Sequence, residues 1–327
     1  MNRETRISAA TCYSAILPLA DERVWRIAAA DHYGQIAVQR LRDVMRLASV
    51  GNADFELVLG GRGLVDFEKQ LRQITASRCS DSLVRHLGNY LVALFPLSMC
   101  LYSVGGRFWL DGPVGGPDLR IQLCIIAQTI ARQVQDRGGM LLHGALAERD
   151  GAGLVLAGPS GIGKTTASNR LSPPWRSRSD DAVLIVKGAD GRYWAHPWPT
   201  WSRISRSCSV DPSWDVQRAV PLAAVCFLGQ SEADAITPMG AGNAAGLLAQ
   251  SAEQAAVLMP YTSVEDRRAK RVQRLDNACA LARSVPAYQL ELSLRGAFWR
   301  LLEDEVLAVR SAVRSLDRLA PSAQVAI

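Results

Sequence analysis

The most informative segment of this chain is rich in glycine and reads Gly158-Pro159-Ser160-Gly161-Ile162-Gly163-Lys164-Thr165-Thr166. It matches the pattern G-x-x-x-x-G-K-[ST] in full. The apolar run 153–157 precedes it, and a short helix is predicted for residues 164–171, before two prolines. A strand, a glycine-rich turn and a helix in this order predict a phosphate-binding loop (P-loop) in an α/β fold.

The residue types of this loop suit a nucleotide such as ATP with Mg²⁺. Glycines let backbone amides converge on phosphate groups, Lys164 reaches the β and γ phosphates, and the hydroxyl of Thr165 can bind magnesium. Lys164 is expected on a solvent-facing loop. The predicted nucleotide-binding residues are Gly158, Ser160, Gly161, Ile162, Gly163, Lys164, Thr165 and Thr166.

Two adjacent carboxylates, Asp180 and Asp181, begin 16 positions after Lys164. In an ordinary P-loop NTPase the second carboxylate follows an apolar strand, whereas here the apolar run 182–186 comes after the pair. Adjacent residues entering a strand point to opposite sides. We therefore predict that Asp180 binds the metal together with Thr165 and that Asp181 accepts the proton of an attacking hydroxyl. A solvated turn is the alternative for this pair.

Composition and patterning indicate two domains. The chain has 327 residues, of which 48% are hydrophobic and 21% charged, which excludes a disordered chain. We predict a smaller, strand-rich α+β domain over residues 1–117, ending in a Gly/Pro-rich linker, and a catalytic α/β domain over residues 118–327. The elements predicted in this second domain are helices 119–136, 244–259, 263–283 and 296–316, and strands 140–146, 153–157, 182–186, 219–229 and 287–292.

The net charge, the cysteines and the apolar runs indicate which binding partners and which cellular compartment to expect. A net charge of +6 suits anionic ligands, but no DNA-binding motif accompanies it, so nucleic acid is not predicted as a partner. The seven cysteines contain no C-x-x-C pair and are expected to be reduced thiols. The longest apolar run, 90–102, is shorter than the roughly 20 residues of a membrane-spanning helix. We predict a cytoplasmic protein without a membrane segment.

The chain resembles the C-terminal domain of HPr kinase/phosphorylase. The resemblance covers residues 119–292 and rests on three motifs: Leu142-His143-Gly144, the P-loop 158–165 and Ser179-Asp180-Asp181. It implies a P-loop kinase core with a phosphoenolpyruvate carboxykinase-like fold. It also implies that His143 lies near the phosphates, that Lys164 and Thr165 bind phosphate and metal, and that the aspartate pair supplies a metal contact and a general base.

Similar chains occur as kinases in bacterial gene clusters that make modified peptides, including lasso-peptide kinases. The resemblance therefore implies a peptide or small-protein acceptor and, because the family assembles through its kinase domains, a homo-oligomer. The glutamate that contributes to metal binding in the regulator has no counterpart after Asp181, so HPr itself is not the expected acceptor.

Two further segments are weaker candidates. The aromatic segment 193–201 contains His196, Trp198 and Trp201 and is predicted either to line a groove for an extended peptide or to be a buried crossover. The basic residues of the predicted helix 263–283 either contact phosphate or an acidic leader peptide, or form a solvated face. These basic residues are Arg267, Arg268, Lys270, Arg271 and Arg274.

The sequence thus predicts an ATP- and Mg²⁺-dependent kinase that phosphorylates a hydroxyl, preferably serine, with His143, Lys164, Asp180 and Asp181 as catalytic residues. Two alternatives remain open. One is a nucleotide-binding regulatory module with little phosphotransfer. The other is a small-molecule kinase, for example one acting on free serine.

Overall fold

The computed structural model describes residues 13–49, 51–60, 84–87, 90–95, 99–104, 107–111, 116–200, 212–259, 261 and 263–308, which form two β-sheets, six α-helices and one π-helical turn. This composition confirms the predicted mixed α/β class. Among these residues, no helix has the length and apolar character needed to cross a membrane.

The first sheet contains seven strands, which are β1 (Ser14–Pro18), β2 (Val24–Ala29), β3 (Phe55–Gly60), β4 (Val84–Leu87), β5 (Tyr90–Phe95), β6 (Met99–Val104) and β7 (Arg107–Asp111). Their order is β1-β2-β3-β7-β6-β5-β4. Helix α1 (His32–Met45) connects β2 to β3, because these strands are parallel and a parallel pair requires a crossover. The helix begins at Asp31, whose carboxylate accepts a hydrogen bond from the Gly34 amide at 2.8 Å.

The second sheet contains eight strands, which are β8 (Met140–Arg149), β9 (Ala152–Ala157), β10 (Arg176–Ser179), β11 (Ala182–Lys187), β12 (Tyr193–Trp198), β13 (Val220–Gln230), β14 (Ala235–Met239) and β15 (Ala287–Leu292). Their order is β10-β8-β11-β12-β13-β15-β14, and β9 pairs with both β8 and β13. β13 runs parallel to β9 and to β15. The carboxyl ends of these three strands therefore lie at one edge of the sheet.

Five helices accompany the second sheet, namely α2 (Gly116–Gln135), α3 (Lys164–Arg170), α4 (Ala241–Ala255), α5 (Val264–Ser284) and α6 (Phe298–Leu302), and a π-helical turn (Glu303–Leu307) follows α6. The start of α5 shows how the sequence sets these boundaries. Ser263 caps it by accepting a hydrogen bond from the Asp266 amide at 3.0 Å, and acidic residues occupy the first turn.

Most predicted elements of this half are confirmed to within a few residues at their ends, but the predicted helix 296–316 is α-helical only over Phe298–Leu302 and continues as the π-helical turn. Phe298, Leu302 and Val306 are buried at spacings of four, a periodicity that fits an α-helix and does not reveal the π-helical turn. Residues 309–316 of the predicted helix lie outside the described residues. The sequence also missed β10 and β14, which are partly exposed strands at the two ends of the sheet order and lack an apolar run.

The two sheets share one hydrophobic cluster. Leu17, Trp25 and Leu41 of the first half belong to the same buried cluster as Leu184 and Trp198 of the second half. The predicted domain boundary at residue 117 falls near the start of α2, between the two sheets, and stays a prediction.

His196 ties the turn between β1 and β2 to the second sheet. It is 1% exposed, and its Nε2 accepts a hydrogen bond from the Ala20 amide at 3.2 Å. Its Nδ1 lies 2.7 Å from the carbonyl oxygen of Val216 and donates to it. A neutral imidazole with its proton on Nδ1 satisfies both contacts. The alternative of a buried crossover is therefore confirmed for His196, whose two ring nitrogens both bond to backbone groups.

We expect the free energy of unfolding to decrease as the pH falls below about 6.5. Burial lowers the pKa of His196, and its bond to Val216 and the charge of Asp21 oppose that shift. Unfolded histidine, with a pKa near 6.5, binds a proton that the folded side chain binds less readily, so acid favours the unfolded state. The stabilisation is complete above pH 6.5 and is lost below it.

Urea unfolding between pH 7.5 and 5.5 measures this dependence. His196→Gln should flatten it in this window, whereas His32→Gln, at an exposed position, should leave it unchanged. Equal pH dependence in the wild-type chain and in His196→Gln would assign the acid sensitivity to other groups.

Candidate functional site

The glycine-rich loop of residues 158–163 joins the carboxyl end of β9 to the start of α3. Gly161 and Gly163 have φ angles of 83° and 109°, at which an L side chain is strained. A Cβ atom added at either position would meet no atom within 4 Å. The loop thus leaves open space next to its backbone, through which an anion could approach the amide groups.

The side chain of Lys164 lies under this loop. Its Nζ donates hydrogen bonds to the carbonyl oxygens of Gly158 and Pro159, each at 2.9 Å. The residue is only 5% exposed. The expectation of a solvent-facing lysine is therefore wrong, because the loop closes around the ammonium group. Burial lowers the pKa of Lys164, whereas the negative charge of Asp181 raises it.

Strand pairing brings Asp180 and Asp181 close to the end of β9, where the glycine-rich loop begins. Asp180 and Asp181 form the connection between β10 and β11. The first residue of β11 pairs with His143 of β8, and the next residue of β8, Gly144, pairs with Ala157 at the end of β9. Since neighbouring strands lie about 4.8 Å apart, the pair lies roughly two strand spacings from β9.

Two threonine hydroxyls hold the carboxylate of Asp180. Thr165 Oγ1 donates to Oδ2 at 3.4 Å, and Thr200 Oγ1 donates to Oδ1 at 3.3 Å. Asp180 is 6% exposed and Thr200 is 5% exposed. The sequence did not single out Thr200, which comes two residues after β12 and is carried to the site because β12 pairs with β11. Asp180 is thus a buried carboxylate in direct contact with the glycine-rich segment.

Asp181 faces a different set of groups. Its Oδ1 lies 3.0 Å from Nε2 of His143, and Nδ1 of His143 lies 3.1 Å from Oε1 of Gln254 in α4. If the imidazole is neutral and donates to Asp181 from Nε2, its Nδ1 accepts a hydrogen bond from the amide N–H of Gln254. If the ring is an imidazolium, it donates to both neighbours. Rotation of the Gln254 amide group permits either arrangement. Ser251 Oγ donates to the carbonyl oxygen of His143 at 3.1 Å.

The two carboxylates differ in access. The side chain of Asp181 is 44% exposed, in contrast to the buried Asp180. His143, at 19% side-chain exposure, covers one side of Asp181. Asp181 is therefore open to an incoming acceptor, whereas Asp180 faces the glycine-rich segment through its contact with Thr165.

A family comparison covers the same part of the chain. Residues 118–308 match the family model described as SynChlorMet cassette protein ScmC, which is more than half of the chain. This chain belongs to the ScmC family. No curated protein matches the chain. The ScmC-matched region contains the glycine-rich loop, the aspartate pair and the three side chains found next to them, His143, Thr200 and Gln254.

The site of this ScmC family member offers few protein ligands to a metal ion. The described residues contain no group of three or more His, Cys, Asp or Glu side chains that could hold a metal. Magnesium bound with a nucleotide needs only one or two protein carboxylates, since phosphate and water oxygens complete its octahedron. The adjacent oxygens of Thr165 and Asp180 fit this smaller requirement.

The remaining side chains of the glycine-rich segment differ in what they can offer a ligand. Ser160 and Thr166 are exposed, so their hydroxyls are accessible. Ile162 packs against the core instead, and its carbonyl oxygen accepts a hydrogen bond from Nε2 of Gln230 at 3.3 Å. Ile162 therefore anchors the loop to the end of β13.

The aromatic segment forms part of the core. Trp198 is 1% exposed and Tyr193 is 5% exposed. The prediction that Trp198 lines a peptide groove is wrong, because β12 lies inside the sheet between β11 and β13 and its side chains fill the core. Trp201 lies outside the described residues.

Several basic residues of α5 are paired within the chain. Arg271 and Arg274 both contact the carboxylate of Glu253, and Arg274 is 3% exposed. Lys270 pairs with Asp136. These contacts join α5 to α4 and to the end of α2, whereas Arg267, Arg268 and Arg271 are exposed, so the solvated-face alternative holds for part of the cluster. Contact with phosphate or a leader peptide stays a prediction.

None of the site contacts described above involves a cysteine side chain. Among the described residues, Cys124, Cys226 and Cys279 are free thiols, as predicted. Burial raises the pKa of both Cys124 and Cys226 to about 12, so these thiols stay protonated.

Proposed function

We propose that this chain is an ATP- and Mg²⁺-dependent kinase that transfers the γ-phosphate to an alcohol group, a serine hydroxyl in our proposal, of a peptide or small protein. The observation that carries the proposal is the contact between the glycine-rich segment and the aspartate pair, through Thr165 and Asp180. The open space beside the loop backbone, the buried ammonium group of Lys164 and the different exposure of the two carboxylates support it as well. The resemblance to HPr kinase, with its phosphoenolpyruvate carboxykinase-like core, supports the same function.

Binding of ATP and magnesium is assigned to the loop and Asp180. Backbone amides of the loop and the ammonium group of Lys164 would hold the phosphates, and Thr165 and Asp180 would contribute oxygens to magnesium. Magnesium would neutralise charge on the phosphate oxygens. Thr200 keeps the Asp180 carboxylate oriented toward Thr165, since its hydroxyl occupies the other oxygen.

Asp181 is assigned as the general base. It is the exposed carboxylate of the pair, and its contact with His143 fixes its orientation. As the acceptor oxygen bonds to the γ-phosphorus, the bond from that phosphorus to the β,γ-bridging oxygen breaks and the acceptor proton passes to Asp181. Lys164 is placed to balance the negative charge near this carboxylate, because the two groups interact electrostatically.

A peptide acceptor is favoured by the access to Asp181 and by the resemblance to kinases of peptide-modifying gene clusters. A flexible chain can bring a hydroxyl to a partly exposed carboxylate without a preformed deep cavity. The family is described as a cassette protein, which supports a context of several gene products acting together. We place the reaction in peptide tailoring in the cytoplasm.

The test is phosphoryl transfer from γ-labelled ATP in the presence of Mg²⁺. We expect label on a serine of a precursor peptide encoded beside this gene, found by mass spectrometry as one added phosphate, and none when EDTA removes the metal. Hydrolysis or binding of ATP without a labelled acceptor would instead favour a regulatory nucleotide-binding module. Label on free serine would favour a small-molecule kinase.

A further inference from the structure

The order of strands sets the direction in which a nucleotide can lie, and this inference rests on the proposed function. Asp180 and Asp181 enter β11, which pairs with β8, and β8 pairs with β9, so the carboxylates lie on one side of the glycine-rich loop. β13 and β15 lie on the other side of β9. A triphosphate with its γ end near Asp180 therefore extends its nucleoside across the carboxyl ends of β13 and β15.

The loop that follows β15 lies at this position. Residues 293–297 connect β15 to α6, and Leu294 within them is 92% exposed, more than any other large apolar side chain of the described residues. β15 lies about two strand spacings, roughly 10 Å, from β9. This distance is within the length of a nucleoside triphosphate. Gln230, which pairs with the last residue of β15, also contacts the glycine-rich loop through Ile162.

This loop is fixed to the segment that carries the phosphate site. Arg170, the last residue of α3, donates hydrogen bonds to the carbonyl oxygens of Ser293, at 2.7 Å, and Gly296. Asp234 accepts a hydrogen bond from the Ser293 amide at 2.7 Å. A Cβ atom at Gly296 would overlap the Asp234 carboxylate, so glycine permits this close approach. These hydrogen bonds thus hold Leu294 in a defined position in solvent. Exposure of this apolar side chain to water is unfavourable in free energy.

We propose that residues 293–297 form the nucleoside end of the site and that Leu294 packs against the face of the nucleobase. A planar aromatic base would cover the apolar side chain that is otherwise left in water. The neighbouring Arg295, also exposed, adds positive charge next to an anionic ligand. Binding of a ligand with a nucleoside can be compared with binding of the phosphate chain alone, which distinguishes the base contact from the phosphate site.

The experiment is calorimetric titration of the full chain with Mg²⁺-ATP and with Mg²⁺-tripolyphosphate. Leu294→Ser should raise the Kd for ATP about tenfold, the effect of removing a partly buried leucine side chain from the contact, and leave the Kd for tripolyphosphate unchanged. Leu275→Ser is the matched control, because Leu275 is an exposed leucine on α5, and it should change neither Kd.

The outcomes separate the two proposals. An unchanged Kd for ATP in Leu294→Ser, or equal losses for both ligands, would overturn the base contact while the phosphate site stands. Failure of the wild-type chain to bind either ligand would overturn the phosphate site and the base contact together.

Discussion

Replacing Lys164 by methionine should lower kcat for phosphoryl transfer about a hundredfold to a thousandfold, the range found when a group that stabilises transition-state charge is removed. Lys164 is buried under the loop, and its Nζ is bonded to two loop carbonyls. Methionine keeps most of the apolar stem and removes the charge, whereas alanine would also leave a cavity. The measurement is single-turnover transfer from labelled ATP to the acceptor.

Lys187→Met is the matched control, because Lys187 is an exposed lysine at the end of β11. It should retain wild-type rates. Circular dichroism and thermal unfolding should show that Lys164→Met is folded, so that its defect is kinetic. Transfer by Lys164→Met within a few-fold of wild type would remove Lys164 from the phosphate site.

Asp181→Asn should lower kcat by about a hundredfold to ten-thousandfold with nearly normal ATP binding, because asparagine keeps the shape of the side chain but cannot accept the proton. Asp180→Asn should act differently and weaken nucleotide binding only when magnesium is present. Asp180 is buried between Thr165 and Thr200, and Asp181 is exposed beside His143. The two substitutions therefore remove a metal ligand and a base, respectively.

Calorimetric titration of ATP with and without Mg²⁺, combined with transfer rates, measures the difference. Asp190→Asn is the control, since Asp190 is an exposed aspartate paired with Arg192 in a distant turn. Identical binding defects in Asp180→Asn and Asp181→Asn would contradict the division of roles. Full transfer by Asp181→Asn would show that another group accepts the proton.

Features that short segments of the chain encode can be predicted from the amino-acid sequence alone. The glycine-rich stretch after an apolar run predicts its own strand, turn and helix, because the required backbone angles and hydrophobic pattern are local. The Asp180–Asp181 pair can likewise be recognised in the sequence as two adjacent acidic residues before an apolar run. Hydrophobic periodicity also predicted α2 and α5 and the buried strands β9, β11 and β13.

The distant side chains that complete the site could not be predicted, because they are brought together by the folding of the whole chain. Gln254 reaches His143 across 111 positions of sequence, and Ser251 reaches it across 108. Thr200 contacts Asp180 because two strands pair, and no local pattern distinguishes its hydroxyl from that of any other threonine.

The burial of Trp198 and His196 also depends on the tertiary structure. Trp198 and His196 lie in a segment whose composition suits a ligand groove or a core equally well, since aromatic rings gain free energy by burial against either partner. Packing of β12 between β11 and β13, and of the first sheet against it, placed both residues in the core. The sequence specifies the chemical groups of each residue. Strand pairing and packing over the whole chain determine which other residues surround it. Those surroundings determine whether the group contacts solvent, a ligand or the core.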